Sequence, residues 1–211
     1  MSVISIIGAG AMAAAIGGLA ARAGHTVELT SRDAEKARGL ARHLGPGTTV
    51  GAFGAVPAGD LVILAVPYEA AIDVVTRWGR ELSGKVLVDI TNPINSRFTD
   101  FTTPEGSCAA LEIAKRAPAD VDVIKAFNTL SSQVLATASA KGHRLDVFLA
   151  GDSAQAKARV SIFVDSLGLR PLDSGQLSMA KSLEQACMLT LGLRERSIRH
   201  ADFAIGVSLL S

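Results

Sequence analysis

Val3-Ile4-Ser5-Ile6-Ile7 runs straight into Gly8-Ala9-Gly10-Ala11-Met12-Ala13, and no other stretch restricts the fold of this chain so tightly. The first part reads as a buried strand, and the second is a G-x-G-x-x-A turn that opens a helix over residues 12–23. Gly8 permits the sharp turn, Gly10 lets the backbone come within contact distance of a pyrophosphate, and Ala13 lets the helix pack closely on the sheet. Ala9, Ala11 and Met12 contribute mainly backbone. The helix then aims its unpaired N–H groups and the positive end of its dipole at the anion. A bare loop-to-helix turn in a Gly- and Ala-rich chain can produce the same string, so context matters. Gly24-His25 stops the helix, and a second strand, Thr26-Val27-Glu28-Leu29-Thr30, follows it.

The end of that second strand selects the nucleotide. A chain built for NAD usually carries an acidic residue there, which holds both ribose hydroxyls and repels a 2′-phosphate. Here the strand ends in Ser31-Arg32, with Lys36 in the first turn of the next helix, 34–44. Ser31 can donate to a phosphate oxygen, Arg32 can pair with it in fork geometry and lie against adenine, and Lys36 adds a third donor. The pattern predicts NADP(H) rather than NAD(H), against the plainer alternative of a solvated Arg/Lys pair at a helix start. Asp33 is expected to be the N-cap of that helix, turned toward backbone N–H groups and away from the phosphate.

With 211 residues, 48% of them hydrophobic, and 20 glycines, the chain can build one large domain, or one domain with a small appendage. A formal net charge of +1 with no basic run gives no support to nucleic-acid binding or membrane-surface attraction. The first residues begin a strand rather than a charged leader, and the apolar stretches are too short to span a bilayer, so a soluble cytoplasmic protein is expected. Cys108 and Cys187 lie far apart and read as small core residues. His25, His43, His143 and His200 are scattered, so no metal site is expected.

Apolar runs recur at 61–65, 86–89, 122–126 and 146–150, with a short one at 48–50, as expected of parallel strands buried on both faces. Between them lie helices at 69–80, 108–117, 132–141 and 154–167; in the last, Val160, Phe163, Val164 and Leu167 form one stripe. Residues 170–173 read as a strand that closes the sheet, and 176–193 as a last helix. The alternation predicts an α/β fold: a Rossmann-type doubly wound, mainly parallel sheet with a short C-terminal helical segment. Residues 1–174 are expected to form the NADP-binding domain and 175–211 a helix and tail that complete an acceptor site. The apolar tail from Phe203 to Leu210 must be covered, either on its own sheet or in a symmetric homodimer.

Ligands of open parallel sheets collect beyond the carboxyl ends of the strands. Four segments occupy such places: Ala65-Val66-Pro67-Tyr68, Asn92-Pro93, Phe127-Asn128-Thr129-Leu130, and Ser178-Met179 at the start of the final helix. Pro67 fixes the chain's exit and Tyr68 can wall the nicotinamide side, or simply pack behind a helix-initiating proline. Pro93 biases Asn92 toward an extended conformation that aims its amide into the cleft. Asn128 can donate to a ring carbonyl or serve as a turn former. Lys125, inside an apolar strand, either snorkels, pairs with Asp89 or Asp122, or takes part in catalysis. No motif supplies a proton donor and acceptor, so no catalytic residue is assigned. Hydride transfer between two conjugated rings requires mainly positioning and exclusion of water, whereas an alcohol dehydrogenase needs an acid or base. A cofactor-like acceptor is favoured.

The segments Ile7-Gly8-Ala9-Gly10, Thr30-Ser31-Arg32 with Lys36, Ala65-Val66-Pro67, Asp89-Ile90-Thr91-Asn92-Pro93, Lys125-Ala126-Phe127-Asn128-Thr129, Ala150-Gly151-Asp152 and Gly168-Leu169-Arg170-Pro171-Leu172-Asp173-Ser174-Gly175 resemble the F420-dependent NADP oxidoreductase family, over nearly the full chain. The resemblance implies hydride transfer between NADP(H) and the deazaflavin coenzyme F420 as co-substrate. It also implies that the deazaflavin stacks on the nicotinamide near Asn128, Leu130, Ser178 and Met179. One departure bears on the acceptor: archaeal members tend to have His where this chain has Asn128, whereas Asn is usual in bacterial members and in the related cytosolic domain of membrane metalloreductases. An NADPH-dependent flavin or quinone reductase is therefore an alternative, as is a non-catalytic NADP-sensing domain. Imine or pyrroline-carboxylate reduction also fits the N-terminal motif, but the chain lacks that family's helical dimerisation domain.

Overall fold

β1 (Val3–Ile7) is flanked on both sides in a parallel six-stranded sheet of order β3-β2-β1-β4-β5-β6, seen in a computed structural model that describes residues 2–138, 144–200 and 202–210. Its partners are β2 (Thr26–Thr30) and β4 (Leu61–Leu64); β3 (Thr48–Val50) continues one side, and β5 (Val86–Asp89) and β6 (Asp122–Lys125) the other. Alternate residues of each strand face opposite layers. Ile4, Ile6, Leu29 and Ile63 pack against α1 (Ala11–Arg22), α2 (Ala34–Leu44), α5 (Ser132–Ala138) and α6 (Ala154–Ser166). Ile7, Val62, Leu64 and Leu87 pack against α3 (Tyr68–Trp78), α4 (Ala109–Ala114) and α7 (Ala180–Leu193). Helices on both faces make the sheet doubly wound, as the alternation predicts.

The expected stripe on α6 is buried, with Val160, Phe163, Val164 and Leu167 all in the core. Asp33 caps α2 as expected, its Oδ1 accepting the Lys36 N–H at 2.9 Å. Of the expected helix 132–141, residues 139–141 lie outside the described residues, as does His143. Among the described residues no helix is long and apolar enough to cross a membrane, and no group of His, Cys, Asp and Glu is arranged to hold a metal ion.

The far edge differs from expectation. β8 (Arg170–Asp173) does not close the main sheet; it pairs in parallel with β7 (Asp146–Leu149) in a separate two-stranded sheet. One antiparallel bridge joins the two sheets, with Lys125 N–H to Ala150 O at 2.8 Å and the reciprocal bond at 3.1 Å. Pro171 has no N–H to donate, which confines β8 to an edge.

After a 3-10 turn at Leu177–Met179, α7 runs to Leu193 and ends in a π turn, Arg194–Ile198. The tail then returns to its own domain. Val207 N–H donates to Asp146 at 2.7 Å, Arg170 donates to the Val207 carbonyl at 2.5 Å, and Ala204 packs on the core. Leu209 and Leu210 beyond it are exposed.

Candidate active site

The two glycines of the turn are glycines for different reasons. Gly8 has φ +123°, and a Cβ there would stand 2.2 Å from the Ala65 carbonyl oxygen, so the chain's own packing of β1 against the end of β4 excludes a side chain. Gly10 has an ordinary φ of −88°, and a Cβ on it would meet no protein atom within 4 Å. Neither backbone strain nor packing explains Gly10. Gly10 is also the N-cap of α1 and offers no side-chain hydrogen bond, and no acidic residue lies in the first turn. The N–H groups and positive dipole end of this helix are therefore not taken up by a capping or acidic side chain.

From this turn a cavity of about 440 Å³ extends past the end of β2. Gly8, Ala9, Gly10, Ser31, Arg32, Lys36, Ala65, Val66 and Pro67 all line it. At the outer end Ser31 Oγ accepts the Asp33 N–H at 3.2 Å, which leaves its own O–H free to donate, and Arg32 and Lys36 are exposed beside it. Phe53 and Arg77 complete this corner, with the guanidinium 5.8 Å from the ring centroid. Sequence reasoning missed both, because the loop carrying Phe53 reaches the last turn of α3 only through the tertiary fold. Ala11 and Met12 begin α1, and Ala13 is buried against the sheet. These three lie outside the cavity lining, as does Tyr68, the first residue of α3. Burial, reinforced by the charge of Glu112, raises the Tyr68 phenol above its usual pKa.

Asn92, Pro93, Phe127 and Asn128 also lie outside that lining, and two of them form a knot of amides. Asn92 Nδ2 donates to the Asn128 carbonyl at 2.8 Å, and Asn128 Nδ2 donates to Asn92 Oδ1 and to the Leu183 carbonyl, each at 2.9 Å. Asn128 Oδ1 is buried and has no hydrogen-bond partner. Pro93 is buried behind Asn92. Phe127, at φ +59°, and Leu130 are both in the core, so they back this knot rather than face solvent. Ser178 and Met179 are exposed in the 3-10 turn ahead of α7.

Beneath the amides Lys125 is wholly buried. Its Nζ reaches Asp89 Oδ2 at 2.9 Å, the Thr91 carbonyl at 2.6 Å and Glu184 Oε1 at 2.6 Å, so all three donors are used. Burial alone would lower this ammonium's pKa, but Asp89 and Glu184 outweigh it and hold it above its usual value. Of the expected partners Asp89 is found and Asp122 is not. Glu184 was not anticipated, although the sequence carries a signal: it falls between Ala180, Leu183 and Cys187 on the apolar face of α7.

Residues 3–93 match the model of the family described as NADP oxidoreductase, coenzyme F420-dependent. That match spans 91 of the chain's 211 residues. An F420-dependent NADP reductase from Methanocaldococcus jannaschii is 29% identical over 161 residues, 74% of this chain and 70% of that protein. The rat metalloreductase STEAP3 is also 29% identical, over 181 residues, but the chain spans 35% of that relative's length. A solved structure from Arthrobacter sp. FB24 superposes with a TM-score of 0.85, covering 98% of this chain and 99% of that one; at 24% identity it speaks for the fold alone.

Proposed function

We propose that this chain transfers hydride between NADP(H) and the deazaflavin coenzyme F420. The observation that carries the proposal is Gly10, a glycine that neither strain nor packing requires, set in the same cavity as Arg32 and Lys36. In this reading residues 1–174 hold the dinucleotide. The 8–13 turn and the α1 N-terminus take the pyrophosphate, Ser31, Arg32 and Lys36 take the 2′-phosphate, and Ala65, Val66 and Pro67 lead toward the nicotinamide. Tyr68, Asn92, Pro93, Phe127 and Asn128 shape the inner end. Residues 175–211 complete the acceptor side, where Ser178 and Met179 face the ring that Asn128, backed by Leu130, orients.

When bound, NADPH supplies a hydride, two electrons with one proton, and the acceptor takes its second proton from solvent. The protein's part is to fix donor and acceptor at near-attack distance and exclude water, which the rigid amide knot and the buried ion network beneath it favour. A soluble donor and acceptor would place the reaction in the cytoplasm.

The test is to mix the protein with NADPH and F420 and follow the deazaflavin absorbance, which should bleach. Bleaching of FMN instead, with F420 untouched, would move the activity to a flavin. That second reading is favoured by the 29% identity with the rat metalloreductase STEAP3.

A further inference from the structure

Glu28 places a carboxylate in the middle of β2, between Val27 and Leu29, whose side chains are wholly buried on the opposite face of the strand. In the parallel register it stands directly beside Ser5 of β1, which is itself wholly buried. Strands of a sheet covered on both faces are expected to be apolar at such places. Here two polar residues face each other instead, and Ser5 Oγ donates to Glu28 Oε2 at 2.5 Å.

The pair lies under residues 51–60, a segment with neither strand nor helix. Glu28 Oε2 accepts the Ala58 N–H at 2.8 Å, and Ser5 Oγ accepts the Gly59 N–H at 2.8 Å. Gly59 is pressed so closely on β1 that a Cβ would stand 2.6 Å from Ser5 N. At the other end of the segment a Cβ on Gly51 would stand 2.8 Å from Glu28 Oε1. One carboxylate therefore meets both ends. A segment without ladder bonds has to find other partners for its N–H groups, and acceptors fixed on a strand also fix its path.

Between those ends the segment carries Phe53, whose ring is in the wall of the dinucleotide cavity with Ser31, Arg32 and Lys36. From α3, the Arg77 guanidinium lies 5.8 Å from the ring centroid and Trp78 Nε1 donates to the Gly54 carbonyl at 3.3 Å. Glu28 is absent from the cavity lining, so whatever it does for a ligand it does through the segment.

We propose that Glu28 is a positioning residue for the nucleotide: by holding the 51–59 segment down on β1 and β2 it sets the Phe53 ring against the adenine. The proposal rests on the reading of this cavity as the NADP(H) site. A flat aromatic ring next to a corner that takes the 2′-phosphate suits a purine face, and such a ring contributes only if its height and tilt are fixed.

The experiment is calorimetry with 2′,5′-ADP, the phosphorylated adenosine half of NADP, so neither the acceptor nor hydride transfer enters it. Glu28→Val suits a strand but removes the acceptor oxygens, and it should bind about fivefold more weakly than the parent, the scale of a weakened ring–base contact. Glu28→Gln, whose amide oxygen can take the place of Oε2, should restore most of the affinity. Phe53→Ala should lose a similar factor, and adding Glu28→Val to it should cost nothing more, because the two act through one ring. Trp78 is the single tryptophan and is 4% exposed, so its fluorescence reports on the segment without any ligand. Acrylamide should quench it more in Glu28→Val than in the parent or in Glu28→Gln. If Glu28→Val does not fold, Gly51→Ala, whose methyl displaces the carboxylate, replaces it in every comparison. Affinity equal to the parent's, losses that multiply in the double variant, no rescue by glutamine, or unchanged Trp78 quenching overturns the proposal. A parent chain that does not bind 2′,5′-ADP overturns the dinucleotide reading itself, and this proposal with it.

Discussion

Lys125 Nζ lies 2.6 Å from Glu184 Oε1, inside a protein whose solvent reaches neither group appreciably. The contact joins β6 to α7, and Glu184 also accepts the Ala109 N–H at 3.0 Å, which fixes the start of α4. One buried cation therefore ties together the strand ends, helix α7, and the carbonyl of Thr91 next to Asn92. Two carboxylates share that cation, so its removal leaves both without an opposite charge.

Lys125→Met should destabilise the protein by about 3–5 kcal/mol, because an uncompensated buried charge costs far more than the pair itself contributes. Urea unfolding measures it. The double variant Lys125→Met with Glu184→Leu should regain part of the loss, since one of the stranded carboxylates is gone. A single variant as stable as the parent would show that the network is not a structural tie.

Gly10→Ala and Gly8→Ala separate binding from folding. At Gly10 the backbone is ordinary and the space around a methyl is open, so stability should change little: the roughly 0.4–1 kcal/mol gained by restricting the unfolded chain is offset by alanine being a poorer N-cap than glycine. NADPH affinity should nevertheless fall at least about tenfold, the methyl taking the place of close phosphate approach. Gly8→Ala should lower the melting temperature, because its methyl meets the Ala65 carbonyl at 2.2 Å. Undiminished NADPH binding by Gly10→Ala would remove the main support for the pyrophosphate site.

Arg32→Ala should weaken NADPH by about 2 kcal/mol, the scale of a lost charge-assisted pair, and leave NADH nearly unchanged. Titrating both cofactors into parent and variant checks this. Equal losses would mean that Arg32 serves adenine or the fold instead of the 2′-phosphate.

The parts of the fold that were legible in the sequence are those set by local periodicity and small residues. The ends of β2 and α2 and the cap at Asp33 follow from apolar runs, from Gly45 beyond the helix and from a short acid at the right offset. The pairing of β7 with β8 was not legible, since a short apolar run does not say which neighbour it will take, and Pro171 states only that β8 sits at an edge. The same limit applies to the site. Gly8, Gly10, Ser31, Arg32 and Lys36 fall within one strand–turn–helix and the strand beside it, whereas Arg77 meets Phe53 only after distant segments fold together. Glu184 is intermediate: its place on an apolar helix face signals burial, but the partner is set by tertiary packing 59 residues away.

The tail supplies a pH dependence whose sign follows from Asp146. Its hydrogen bond with Arg170 holds this carboxyl below the usual 3.8 against the opposing effect of burial, with the Val207 N–H assisting. A carboxylate whose pKa is depressed in the folded state contributes its stabilisation above the ordinary value and loses it as pH falls through the depressed one. The tail should therefore stay latched through neutral pH and loosen only below about pH 3.8, where protonation removes the ionic partner of Arg170 and weakens the acceptor for Val207. Asp146→Asn imposes the uncharged state at any pH. At pH 7 that variant should be cut by chymotrypsin after Phe203 several times faster than the parent, while the main sheet, which Asp146 does not join, resists. Equal cleavage rates would show that the tail is held by its apolar residues alone and that the Asp146–Arg170–Val207 contact does not control it.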